Sequence, residues 1–414
     1  MRLPRVGLVG VNGYGRTHLR AAAQLHLDRR LDFVAYADIA PGAAEAVAES
    51  CSHHPMGYPS LAAMLAGEPL DIAILATPIP LHAEMIEQTF AAGVSVLVEK
   101  PPVVTIQDLD RLVEVQRGRD VLCQVGFQTA RAPVTDALGD LARTGALGEI
   151  ELVAMIGRWQ RSDAYYARTG WAGRLTHQGR YVLDGTLTNP FAHGLMNALM
   201  VAGRAAGRAA GDTAVPATVR AELYRCRDIE GDDTASVRIT TTDGHTIIAV
   251  TTLCAEEQTD PRIVVRGTSA TATAWYTTGR LTIDPPMAAG LPADVPGDLP
   301  ALHGPVDRSH MLVDLAEVVG GRDREILCPL RMCRGFVLAL SGIFESAGRP
   351  RPVSPPAVTA RFEEGARWVA LDGVDALVER CARDGLLFSE TGADWAAPTR
   401  EFPLADYTHF DLFS

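Results

Sequence analysis

Through the first 128 residues, short apolar runs alternate with stretches of helical period. Val6–Val11 is apolar, glycines follow, and then Leu19, Ala22, Ala23 and Leu25 recur at helix spacing. "LDFVAYADIA" predicts a second strand ending at Asp38, Ile72–Ala76 another, and "VSVLVEKP" and "VLCQVGFQ" two more. A helix enters through Pro80, where the missing N–H costs nothing, and another spans Ile106–Gln116. Strands and helices in alternation predict a parallel, doubly wound α/β sheet.

Beyond residue 147 the rhythm changes. "GEIELVAMIGRW" predicts a long strand, a loop rich in aromatic residues follows, and a helix is expected around Pro190–Val201. "ATVRAELYRC", "TASVRITTTDGHTIIAVTTLC" and "RIVVRGTSATATAWYTTGRLTI" predict consecutive strands, with Asp-Gly in "TTDGHT" as a hairpin turn. Residues 285–305, rich in Pro and Gly, predict a linker or lid. Helices are expected at His310–Val319, Leu330–Ser346 and Val374–Arg383. The organisation expected is a Rossmann domain over 1–128 and an α+β domain with a large antiparallel-rich sheet over 129–351. A tail, 352–414, is expected to pack back on the body.

The chain of 414 residues carries a net charge of −12, which argues against a nucleic-acid partner. No apolar run is long enough for a membrane span, and the N-terminus predicts a strand and not a signal peptide. Seven scattered cysteines suggest free thiols in a reducing cytoplasm, and no His, Cys or carboxylate cluster points to a metal. Of 38 basic residues, 37 are arginine; Lys100, in "VLVEKPP", is the one lysine. Arginine serves wherever a positive charge suffices, whereas lysine can exchange a proton.

"GVNGYG" places Gly10, Asn12 and Gly15 on the dinucleotide fingerprint, with asparagine at its second place and Gly13 and Tyr14 between. Asparagine tolerates the left-handed backbone expected there. The helix N-terminus would face the cofactor phosphates. Asp38 closes the next strand, where a carboxylate accepts from a ribose diol and repels a 2′-phosphate, so NAD is favoured over NADP.

These pieces, with "ATPIPLHAEM", "VLVEKPP", "GFQ" and "TNPFAHGL", resemble the Gfo/Idh/MocA oxidoreductases, the group of glucose–fructose oxidoreductase and inositol dehydrogenase. The resemblance implies that Lys100 serves catalysis, with Glu99 as its structural neighbour, Thr77 and Pro78 beside the cofactor and His82 in the nicotinamide wall. It also implies a second motif, Asp-x-x-x-His on a helix, which here is Asn189 and His193. Asparagine can orient the imidazole but brings no charge, so weight moves to Lys100 as proton acceptor, with His193 and Asn189 on substrate hydroxyls. Gln128 is a candidate substrate contact. So are Trp159, Arg161, Tyr165, Tyr166, Arg168 and Trp171, whose rings could stack on a sugar and whose guanidinium groups could bind hydroxyls or carboxylates; a merely packed loop is the competing reading. "ASVRITTT" and "HTIIAVTT" suit a sheet face that is covered, and the resemblance implies a homodimer or homotetramer.

The expected function is NAD-dependent hydride transfer at a secondary hydroxyl of a sugar, glycoside or cyclitol. Two alternatives stand beside it. One is a glycosidase or epimerase working by transient oxidation on bound NAD. The other is a non-catalytic NAD-binding sensor.

Overall fold

The structure is a computed structural model that describes residues 2–209, 211–285, 307 and 309–412. Nearly all of the Pro/Gly segment at 285–305 lies outside the described residues. The chain divides into two compact units. The first holds residues 1–103, 108–128 and 307–333; the second holds 104–107, 129–306 and 334–414.

The first unit alternates strand and helix: β1 (Arg5–Val9), α1 (Gly15–Leu27), β2 (Asp32–Ala37), α2 (Ala43–Ser50), β3 (Met56–Tyr58), α3 (Leu61–Gly67), β4 (Ile72–Leu75), α4 (His82–Ala91), β5 (Ser95–Val98), α5 (Ile106–Gln116) and β6 (Cys123–Val125). All six strands are parallel, in the order β3-β2-β1-β4-β5-β6. β4 and β5 are buried at every position, which is why they read as unbroken apolar runs and not as alternation. The order reverses between β1 and β4, and the carboxyl ends of these strands form the edge where open parallel sheets bind ligands. Residues 307–333 close the far side: Val125 N–H donates to Cys328 O, and buried Gln124 reaches Asp314 on α9 (His310–Val319).

The second unit is built on a nine-stranded mixed sheet. Its elements are α6 (Pro133–Arg143), β7 (Ile150–Gln160), α7 (Asp163–Ala167), the small pair β8 (Thr176–His177) and β9 (Arg180–Tyr181), and α8 (Ala192–Ala205). There follow β10 (Pro216–Arg225), β11 (Thr234–Thr241), β12 (Thr246–Thr252), β13 (Cys254–Gly267), β14 (Thr271–Trp275), β15 (Arg280–Asp284), α10 (Arg334–Ala347) and β16 (Arg351–Pro352). β7 lies between β12 and β13, parallel to the first and antiparallel to the second. Its two faces bury different partners. A Cβ on Gly157 would run into Phe191 and one on Gly194 into Met155, so that face packs on α8. Leu152, Ala154 and Ile156 point the other way.

That other face is covered by the chain itself. After β16 come the hairpin β17 (Val358–Glu363) and β18 (Ala366–Leu371), α11 (Val374–Asp384) and β19 (Glu401–Pro403). Leu371, Val374, Val378, Leu387 and Phe388 are fully buried in one cluster with Leu152, Ile156, Ile248 and Val250. β19 pairs with β10, and Tyr224 on β10 binds both the N–H and the carbonyl of Ala397 through its hydroxyl, at 2.9 and 3.2 Å. The cover expected over β11 and β12 from a second copy is thus supplied, on this face, in cis. The tail also carries three strands beyond the single helix expected of it. All seven cysteines are free, and no helix among the described residues is long and apolar enough to cross a membrane.

Candidate active site

In the first unit the turn after β1 is shaped by glycines. Gly10 has φ 83°, and a Cβ there would sit 2.5 Å from Ala76 O; a Cβ on Gly15 would sit 1.8 Å from Gly10 O. Both places therefore admit only glycine. The left-handed residue between them is Gly13 (φ 60°), around which a Cβ would meet nothing. This corrects the expectation for Asn12, which keeps a negative φ. Asn12 instead donates its N–H and its amide to Asp38 Oδ2, at 3.2 and 3.4 Å, and Val11 N–H reaches the same oxygen at 2.7 Å. Ala40 N–H takes Oδ1. The carboxylate is thereby fixed at the end of β2, with Oδ1, which takes one donor, keeping a lone pair. Tyr14 is exposed at the start of α1, its ring edge-on to His18. The narrow glycine turn, the open space over Gly13 and the oriented carboxylate fit a dinucleotide.

Lys100 follows β5 at the binding edge and is half-buried. Both its neighbours are tied down. Glu99 binds buried His18 Nε2 at 2.7 Å and accepts the Lys100 N–H at 3.2 Å; a Cβ on Gly126 would press on its carboxylate. The Lys100–Pro101 peptide is cis, and the Pro101 carbonyl faces His82 Nδ1 at 2.9 Å. His82 Nε2 faces Thr77 O at 2.8 Å. His82 is thus a buried strut between two carbonyls, with desolvation lowering its pKa, and presents no free face as a wall. Thr77 and Pro78 sit at the end of β4, with the Thr77 hydroxyl 3.4 Å from Met85 Sδ. Gln128 is buried. His18 is the residue missed in the sequence; its place in the first turn after Gly15, inside "GYGRTHLR", was the available signal.

In the second unit His193 lies in the first turn of α8, whereas Asn189 precedes that helix. The two do not share a helical face, contrary to expectation. Asn189 Nδ2 donates to Asp184 Oδ1 at 2.9 Å, and Gly173 N–H donates to Asp184 Oδ2 at 2.6 Å. A buried carboxylate therefore stands next to the asparagine after all, five residues upstream in "LDGTLTN". Next to it, Asp232 accepts the N–H and hydroxyl of Thr186, at 2.8 and 2.7 Å, and burial pushes its pKa up to about 7. These bonds pin the segment that leads into α8.

The aromatic loop forms a ladder that starts at the same helix. The Trp159 ring lies 4.5 Å from Phe191, the N-cap of α8. The Arg161 guanidinium lies 4.7 Å from Trp159 and 5.3 Å from Tyr165. Arg168 covers Tyr165 at 3.6 Å and approaches Trp171 at 5.5 Å. Tyr166 turns inward at right angles to Tyr165, under Arg227. All six predicted loop residues are thus brought together. Nearby, Cys226, Asp233 and Cys254 place possible metal-ligand atoms within 4.8 Å of one another, a cluster the sequence did not reveal. Arg227 Nη1 already occupies it, 2.8 Å from Cys254 Sγ and 3.1 Å from Asp233 Oδ2, so the chain supplies its own cation there.

The turn, carboxylate and strand order of the first unit define an NAD-binding Rossmann domain. Residues 4–127 match the model of the oxidoreductase family GFO_IDH_MocA, described by its NAD-binding Rossmann fold. Over those residues the chain is similar to the NAD-binding domain of the Gfo/Idh/MocA oxidoreductases. The rhizopine catabolism protein MocA of Rhizobium meliloti is 29% identical over 44% of this chain and 55% of its own length. An inositol 2-dehydrogenase of Rhizobium meliloti (strain 1021) is 30% identical over 37% of this chain and 45% of its own. The chain spans about half the length of these curated relatives. The fold is also that of the WlbA dehydrogenase of Bordetella pertussis, solved in complex with NADH and UDP-GlcNAcA, at a TM-score of 0.70, 23% identity and coverage of 84% of this chain and 96% of that one.

Proposed function

We propose that this chain is an NAD-dependent dehydrogenase acting on a secondary hydroxyl, or its ketone, of a sugar, glycoside or cyclitol. The observation that carries this reading is the position of Lys100, the chain's one lysine, held at the ligand-binding edge between a glutamate locked to His18 and a proline carbonyl locked to His82. NAD, when bound, supplies the hydride acceptor. Lys100 is assigned the hydroxyl proton as general base, Asp38 the ribose and the turn at Gly10–Gly15 the phosphates. In the second unit His193 and Asn189 are assigned substrate hydroxyls, with Asp184 orienting Asn189. The names of the relatives, which act in rhizopine and inositol chemistry, support a polyhydroxylated substrate.

Lys100→Arg tests the assignment. Arginine keeps the charge but cannot accept a proton near neutral pH. The variant is expected to bind NAD as the wild type does and to lose about 100- to 10,000-fold in turnover, read as NADH absorbance across a panel of sugars and cyclitols. Near wild-type turnover would reduce Lys100 to a mere charge. Turnover of substrate with no net NADH would instead favour transient oxidation on retained cofactor.

A further inference from the structure

The second unit holds a cavity of about 530 Å³ that none of the roles above uses. Tyr166, Ile229 and Pro350 give its lining an apolar part, and Arg174, Arg225 and Arg349 line it as well. Three guanidinium groups in one cavity stand out on a chain of net charge −12. The two carboxylates that also line it, Asp228 and Glu230, do little to offset them. Asp228 is fully exposed and 3.9 Å from Arg225, the outer limit of an ion pair. Glu230 gives one oxygen to the Leu175 N–H at 3.0 Å and meets Arg174 only at 3.4 Å, where both are half-exposed. Arg225 donates from Nη1 to Arg227 O at 3.3 Å, which leaves most of its five N–H donors for another acceptor.

The cavity also touches the candidate site by covalent and hydrogen-bonded links. Tyr166 belongs to the aromatic loop, and Gly173, on the cavity wall, donates to the same Asp184 that holds Asn189. Gly173 O in turn accepts the N–H groups of Glu230 and Gly231, which ties the two loops of the wall together.

We propose that this cavity is a subsite for a phosphate ester of the substrate, the guanidinium groups taking the phosphate oxygens and the apolar lining residues taking the attached ring. Planar guanidinium forks match phosphate geometry, and a pocket of this volume suits a ligand of sugar-phosphate or nucleoside-diphosphate size. The inference rests on the sugar-oxidoreductase reading and narrows its substrate to phosphorylated sugars.

The test uses the full chain saturated with NAD, so that the dinucleotide site is filled, and calorimetry with four probes: UDP, glucose 1-phosphate, uridine and inorganic phosphate. UDP or glucose 1-phosphate is expected to bind at least tenfold more tightly than uridine and than inorganic phosphate; which of the two binds better tells a nucleotide sugar from a simple sugar phosphate. Arg174→Gln/Arg225→Gln is expected to weaken that binding tenfold or more with NAD affinity and melting temperature retained, and Arg349→Gln alone to weaken it in the same direction. Absence of ester binding to the wild type, equal binding by the folded variants, or inorganic phosphate binding as tightly as the esters would each overturn the proposal. Binding is read without turnover. A chain that binds the ester but reduces no NAD with any sugar would sink the dehydrogenase reading and leave the subsite standing.

Discussion

Asn189 makes sense once Asp184 is seen beside it. A carboxylate at position 189 would face the Asp184 carboxylate at hydrogen-bond distance, and two such groups cannot both stay ionised without cost. The chain keeps one carboxylate and one amide, with the charge on the upstream member. Asp184→Asn is expected to break the arrangement, because Gly173 N–H and Asn189 Nδ2 each donate to a different oxygen of Asp184 and an amide offers only one acceptor oxygen. The mismatch costs about 1–3 kcal/mol and should lower kcat at least tenfold. In Asp184→Asn/Asn189→Asp the amide oxygen can take Gly173 N–H while its NH2 donates to the new carboxylate at 189. Activity, and the pH profile of kcat/KM, should return toward wild type. A double variant no better than the single would show that Asp184 only holds the loop.

At the scale of the elements, the segment from Asp184 to α8 depends on a group that titrates near neutrality. The pKa of Asp232 is raised by burial from 3.8 to about 7, so the folded chain holds this proton more tightly than the unfolded one. The sign follows: stability falls as pH rises through this window, by up to about 1.4 kcal/mol for each pH unit between the two values. Asp232→Asn keeps an acceptor for Thr186 and removes the titration. Melting temperature measured from pH 5 to 8 should decline more steeply for the wild type than for this variant; parallel curves would assign the pH dependence elsewhere.

How far the elements were legible depended on how local their causes are. Helices Ile106–Gln116 and His310–Val319 stood out because periodicity alone defines them. The β17–β18 hairpin did not. Its turn is Glu364-Gly365 with φ 52° and 75°, a geometry that Asn-Gly or Asp-Gly announces and Glu-Gly does not. The pairing of Asp184 with Asn189 and of His18 with Glu99 was equally hidden. Each needs a loop path or a contact 81 residues apart that no spacing rule encodes. The lysine, the glycine turn and Asp38 were readable because each sits at a fixed place relative to a strand end.

For the whole molecule, the second unit has two apolar sheet faces and residues 352–412 cover one of them. Leu371, Val374, Val378, Leu387 and Phe388 are all fully buried there. At about 1.5–3 kcal/mol for each such side chain, the five together contribute on the order of 10 kcal/mol. That equals the whole stability of a typical domain, about 5–15 kcal/mol. A chain ending at Arg351 is therefore expected to aggregate, or to pair through the bared face. Light scattering should show a higher mass and a hydrophobic dye should bind. Unchanged mass and melting temperature would mean that the cover adds no stability. A homodimer or homotetramer of the full chain would have to use surfaces other than this face.

The same cover sets a timetable for biosynthesis. Every strand that flanks β7 is made before α11 and β19. At roughly 5–20 residues per second, the sixty or so residues from 352 to 412 take about 3–12 s to be made. For that interval a nearly complete sheet displays Leu152, Ile156, Ile248 and Val250 with nothing over them. A nascent chain stalled near residue 350 should therefore be held by ribosome-associated chaperones far more strongly than the released chain, in which residues 352–412 cover that face.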